Sequence, residues 1–200
     1  MKYIFMLSTL SCLIFSASED PIFGENGMIV STSRQASEAG IEILKKGGNA
    51  IDAAVAVGFA LAVTSSGNGN LGGGGFLVAA MKNGDTFTID HREKSPKKST
   101  KTMYLDNDGD IIDGMSLYSR ASSGVPGTVD GLLKALIDHG SGTISRQQIL
   151  APAIKLAGRG FNLSHYEAER FNLYKEFFER NEAAKKIFVK KDNTPWKKGD

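Results

Sequence analysis

Residues 66–90 read SGNGNLGGGGFLVAAMKNGDTFTID, and the fold turns on the four consecutive glycines at the centre, Gly72–Gly75. Glycine tolerates positive φ and lets another backbone or a ligand come close, at a cost in entropy elsewhere. Between a small-residue helical pattern and an apolar strand pattern, such a run predicts a tight, buried passage where side chains do not fit. Gly67, Gly69 and Gly72 also match G-x-G-x-x-G. That dinucleotide fingerprint needs a strand before the glycines and a helix after them. Here the order is reversed, with 52–64 helix-like and 76–81 strand-like, and no Lys-Ser/Thr pair makes a phosphate loop. The nucleotide reading fails on context.

Downstream, strands are predicted over 76–81 and 86–90, joined by Asn83-Gly84, the strongest short hairpin signal. Upstream, Asn49 caps a helix over 50–64 built of Ala, Val and Gly, with Asp52 suited to its positive end. A helix apolar on nearly every side is buried by close neighbours. Gly47-Gly48 ends an earlier helix carrying Ala36, Ala39, Ile43 and Leu44, capped by Ser33 or Ser37. Before it, Gly27–Ser31 predicts a short strand.

Beyond the hairpin comes a burst of charge, His91-Arg92-Glu93-Lys94-Ser95-Pro96. A second hairpin is predicted around Asp106–Asp110, whose glycine and missing glutamate do not fit a calcium loop. Ser123–Thr128 is a tight turn feeding a helix over 129–139. Ser145–Gln148 and Ser164–Glu167 have capping-box form. Pro152 is expected to break or restart the first of these helices. The second is expected to run to Ala184, with Phe171, Tyr174, Phe177 and Phe178 as its packed stripe. The order strand, helices, strands, helices points to a mixed α/β layer structure with an antiparallel hairpin.

The chain has 200 residues, 41% hydrophobic and 23% charged, enough for one domain or a large piece of one. A net charge of +2 argues for neither nucleic acid nor a membrane surface. The late lysines Lys185, Lys186, Lys190, Lys191, Lys197 and Lys198 read as a solvated face. Met1–Ser18 reads as a signal peptide, with Lys2 in its n-region, and predicts an exported, periplasmic or secreted protein over 19–200. It is too short for a good membrane span. Cys12, the single cysteine, leaves with the signal unless it carries a lipid anchor.

His91, His139 and His165 have no metal-like partners at helical spacing, so no metal and no cofactor is expected. His139, at a helix end, is suited to serve the terminal carbonyls. No G-x-S-x-G elbow is present, and no serine lies beside a base. Arg92 stands out, because it leaves a core strand just past the glycine passage. A guanidinium there binds a carboxylate through two parallel hydrogen bonds. The plainer alternative is a surface pair with Glu93 or Asp90.

Gly47–Ala56, Gly72–Phe76, Asp90–Pro96 and Gly124–Thr128 occur in the order found in gamma-glutamyltranspeptidases, and the chain resembles that family over about 27–160. The resemblance implies part of an αββα N-terminal-nucleophile hydrolase fold and a self-cleaving proenzyme. It implies a threonine nucleophile whose α-amine is its own base. The implied donor is glutathione or another γ-glutamyl amide, the acceptor water, an amino acid or a peptide, and the partner a small subunit from the same precursor. Arg92 matches the family arginine that holds the donor α-carboxylate. Ser95 stands where alanine is usual, and 65–66 lacks a common proline. No threonine here matches the nucleophile motif, so no catalytic residue is assigned in this chain. The alternatives are a β-lactam (glutaryl) acylase relative and a non-catalytic truncated family member.

Overall fold

The computed structural model describes residues 20–200; the signal-peptide reading and Cys12 lie outside them. Helix α2 (Ala50–Thr64) is the centre of the packing. Helices α1 (Arg34–Lys45), α4 (Thr128–His139) and α5 (Arg146–Arg159) all rest against it. Small residues permit this: Ala53, Val55, Ala56 and Ala60 are fully buried, and Gly58 faces Leu132 too closely for a Cβ. Ser33 is the cap of α1. Asn49 caps α2 as expected, and Asp52 closes a capping box by accepting the Asn49 amide at 2.9 Å.

Strands β1 (Phe76–Ala80) and β2 (Thr86–Asp90) pair antiparallel, with Phe76 opposite Asp90 and Ala80 opposite Thr86. Alternation gives the hairpin two faces. Leu77, Ala79, Phe87 and Ile89 pack on the helical core beside Val55, Leu132 and Ile149. Phe76 and Val78, 67% and 79% exposed, stand on the other face with Thr88 and Asp90. One helical layer thus covers one side of a sheet whose second side is open among the described residues.

Several expectations are corrected. Gly27–Ser31 is extended but forms no ladder among the described residues, because no described strand lies beside it; Ile29 instead packs on Gly40. The turn at Asp106–Asp110 exists, held by the Asp106 carboxylate, but only a Leu105–Ile111 bridge flanks it. Residues 115–122 form α3 (Met115–Tyr118) and a 3-10 turn that the pattern did not signal. Helix α5 runs unbroken through Pro152, whose ring is buried.

The long final helix is in fact three: α6 (His165–Leu173), α7 (Lys175–Phe178) and α8 (Glu182–Phe188). Asn181 restarts the chain by capping α8 through Ala183 and Ala184. Of the expected stripe, Phe171 and Phe178 pack with Phe188, and Phe171 also meets Trp196. Tyr174 and Phe177 are nearly half exposed. The break lets Phe188 and Trp196 take their places. The Ser164 capping box forms only one way: Ser164 accepts the Glu167 amide while the Glu167 carboxylate turns inward and is buried.

Candidate substrate site at the end of β2

The ladder continues one step past Asp90. The His91 amide donates to the Gly75 carbonyl at 3.0 Å, and the Gly75 amide to the His91 carbonyl at 3.4 Å. Strand alternation then sends His91 towards α4 and Arg92 to the open face. The Arg92 guanidinium lies 5.9 Å from the centroid of the Phe76 ring on that face. Its Nε pairs with Glu93 Oε2 at 3.1 Å, and its side chain is 60% exposed.

The Glu93 pair posed as the plainer alternative therefore exists, through Nε. Asp90 makes no ion pair with the guanidinium; it accepts the Arg92 amide at 3.0 Å. Among the described residues the terminal Nη groups donate no hydrogen bond to a carboxylate, and the side chain is mostly exposed, so the flat fork that binds carboxylates is accessible.

The glycines explain how this backbone is held. A Cβ on Gly74 would sit 2.5 Å from the His91 carbonyl oxygen and 2.8 Å from Arg92 Cα. One on Gly127 would overlap the same carbonyl, and one on Gly124 would lie 2.8 Å from Glu93 Cβ. The Gly73 carbonyl accepts the Gly127 and Thr128 amides at 2.8 and 3.0 Å, satisfying donors that α4 leaves free at its start. Lys94 and Val125 exchange backbone hydrogen bonds at 3.2 and 2.7 Å. Alone in the run, Gly72 would give a Cβ no neighbour within 4 Å among the described residues. The predicted tight, buried passage holds only in part: the main chain of residues 91–93 fills it at Gly74, the Asn70 side chain and the His91 ring crowd Gly73 and Gly75, and Gly72 is exposed.

A cavity of about 380 Å³ lies along β2, lined by Asp90, His91, Arg92, Lys94, Asp130 and Lys134 among others. Lys134 pairs with Asp138 at 2.6 Å, which raises the lysine pKa and lowers that of the aspartate. The histidines stay apart. His139 stacks on Phe87 with centroids 3.6 Å apart, and its carbonyl accepts the Asn49 side chain, which corrects its expected role at the helix end. His165 pairs with Glu169 on the surface. Among the described residues no cluster of three metal-ligating side chains occurs. Sequence reasoning missed Phe76 beneath Arg92, although alternation across the Phe76–Asp90 pair carries that signal. It also missed Gly131 behind His91, for which no local signal exists.

The family model described as gamma-glutamyltranspeptidase matches residues 36–200. The glutathione hydrolase proenzyme of Escherichia coli is 45% identical over 181 residues, covering 90% of this chain and 31% of that protein. The acylase ACY 1 proenzyme of a Pseudomonas species is 36% identical over 158 residues, covering 76% and 28%. The crystal structure of Helicobacter pylori gamma-glutamyltranspeptidase superposes with a TM-score of 0.84 at 42% identity, over 90% of this chain and 51% of that one. The α/β expectation, part of an αββα N-terminal-nucleophile hydrolase fold, therefore stands. The chain spans about a third of the length of the curated relatives it matches.

Proposed function

The chain belongs to the gamma-glutamyltranspeptidase family, and from that premise we propose that it forms part of a γ-glutamyl transferase/hydrolase in which Arg92 binds the donor α-carboxylate. The observation that carries this reading is the open fork of Arg92 on a backbone packed between glycines. Two parallel hydrogen bonds to a carboxylate fix its plane as well as its position. Glu93 on Nε and Phe76 below limit the directions the guanidinium takes.

Holding the α-carboxylate leaves the γ-amide of glutathione, or of a similar donor, pointing away from the arginine. There it meets a threonine that opens the small subunit cut from the same precursor and lies outside this chain. That threonine, with its α-amine as base, takes the γ-glutamyl group and passes it to water, an amino acid or a peptide. The contribution of Arg92 is positional, and such positioning lowers the entropic part of the barrier. The open apolar face at Phe76 and Val78 fits a sheet that the rest of a precursor covers. Residues 19–200 are then the N-terminal part of the large subunit, and 1–18 its export signal. Among the described residues no helix is long and apolar enough to cross a membrane.

The test is the protein as its source cell makes it. Its intact mass under denaturing conditions and its turnover of γ-glutamyl-p-nitroanilide and glutaryl-p-nitroanilide decide the matter. Two chains, the second starting with threonine, and turnover of the γ-glutamyl amide are expected. Turnover of the glutaryl amide alone points to the acylase, a reading the ACY 1 likeness favours. One species spanning roughly 19–200 without turnover overturns the enzyme reading.

A further inference from the structure

We propose that His91 is a positioning residue: its ring, wedged between Gly75 and Gly131, fixes the direction in which Arg92 leaves β2. The inference rests on Arg92 being the donor-carboxylate contact. His91 and Arg92 are consecutive on an extended backbone, so a rotation that displaces one side chain displaces the other on the opposite face. The half-buried His91 ring is hemmed in on two sides, by Gly75 and by Gly131. A Cβ at Gly131 of α4 would overlap His91 Cβ and Cγ, and one at Gly75 would sit 3.0 Å from Cε1. The carbonyl of the same residue faces Gly74 and Gly127 with no room for a side chain.

Two costs accepted at this place point to a fit of shape. Gly131 lies inside a helix, where glycine is less favourable than alanine. His91 Nδ1 is buried without a hydrogen-bond partner among the described residues, which also costs free energy. The ring lies as a flat wedge between α4 and the glycine run. Helix α4, His91 and Arg92 form one line of contact from the core to the open face.

The experiment compares two donors with the protein as its source cell makes it: γ-glutamyl-p-nitroanilide and its α-carboxamide analogue. The ratio of their kcat/KM values measures recognition of the α-carboxylate. Four variants are read against the parent: Arg92→Lys, His91→Ala, His91→Phe and Gly131→Ala. The expected result is a fall in the ratio of about tenfold for His91→Ala and Gly131→Ala, seen mainly in donor KM. His91→Phe, which keeps the flat shape, restores the ratio. A merely structural role lowers turnover of both donors together and leaves the ratio unchanged, and that result overturns the proposal. If Arg92→Lys itself leaves the ratio unchanged, the Arg92 assignment fails, and this failure is distinct from a failure of His91 alone. Should His91→Ala not fold, Gly131→Ala and His91→Phe still decide, since one displaces the wedge and the other preserves it.

Discussion

Asp52 near the start of α2 accepts a hydrogen bond from the backbone amide of Ser141, 89 residues further along, at 3.2 Å. The same carboxylate accepts the Asn49 amide at 2.9 Å and is wholly buried. One side chain therefore caps its own helix and ties down the chain leaving α4. The amides left free at the start of α2 suit a hydrogen-bond acceptor there. Asp52→Ala leaves two amides unpaired, and a loss of about 2–4 kcal/mol is expected. Urea unfolding measures it; a midpoint unchanged from the parent contradicts this account.

Gly74 and Gly72, two positions apart in the same run, should respond unequally to alanine. At Gly74 the new Cβ meets main-chain atoms of three residues, which cannot swing aside, so a cost of about 3 kcal/mol is expected. At Gly72 no described atom lies within 4 Å of the new Cβ, and the change stays within about 0.5 kcal/mol. Thermal melts of the two variants side by side settle whether the run is a packing device or a flexible link.

Arg92→Lys replaces a planar fork with a point charge. If the carboxylate pair is desolvated when donor is bound, the loss is about 2–5 kcal/mol of donor binding. It is read as a rise in donor KM in the enzyme as the cell makes it. Unchanged KM and kcat would remove Arg92 from the site.

Asp200 offers a pH test. The hydrogen bond from Lys190, and then that from the Lys197 amide, hold its carboxyl below the ordinary 3.8. A depressed pKa adds stability above the unfolded value, and that stability is lost as pH falls through the folded one. Lys190 also lies 5.1 Å from the ring centroid of Trp196, the single tryptophan. Tryptophan emission should hold steady from neutral pH down to about pH 4 and change below it. Asp200→Asn should abolish the step. A step well above pH 4 would assign the transition to another group.

Legibility in the sequence followed the range of the interactions. The hairpin, the Asn49 cap and the small-residue helix rest on neighbours within a few residues, and their patterns were readable. The place of Arg92 just past a strand was readable because the end of a strand is a local fact; its role is what the family resemblance implies. The break of the last helix was not. The aromatic spacing up to Phe178 suits one continuous helix, while the packing that ends it involves Phe188 and Trp196 from beyond. Residues 27–31 failed for a related reason: a short apolar run predicts a strand, but a strand also needs a neighbour. His139 was misread because its partner, Phe87, lies on a distant hairpin.

The run Gly72–Gly75 has a consequence for how the gene can change. Any single-base missense change in a glycine codon installs a residue with a Cβ. At Gly74 each such change adds the atom for which the main chain of residues 91–93 leaves no room. At Gly72 most of them enter open space. Four identical letters thus conceal unequal mutational latitude, with drift permitted at one end of the run and closed two codons later.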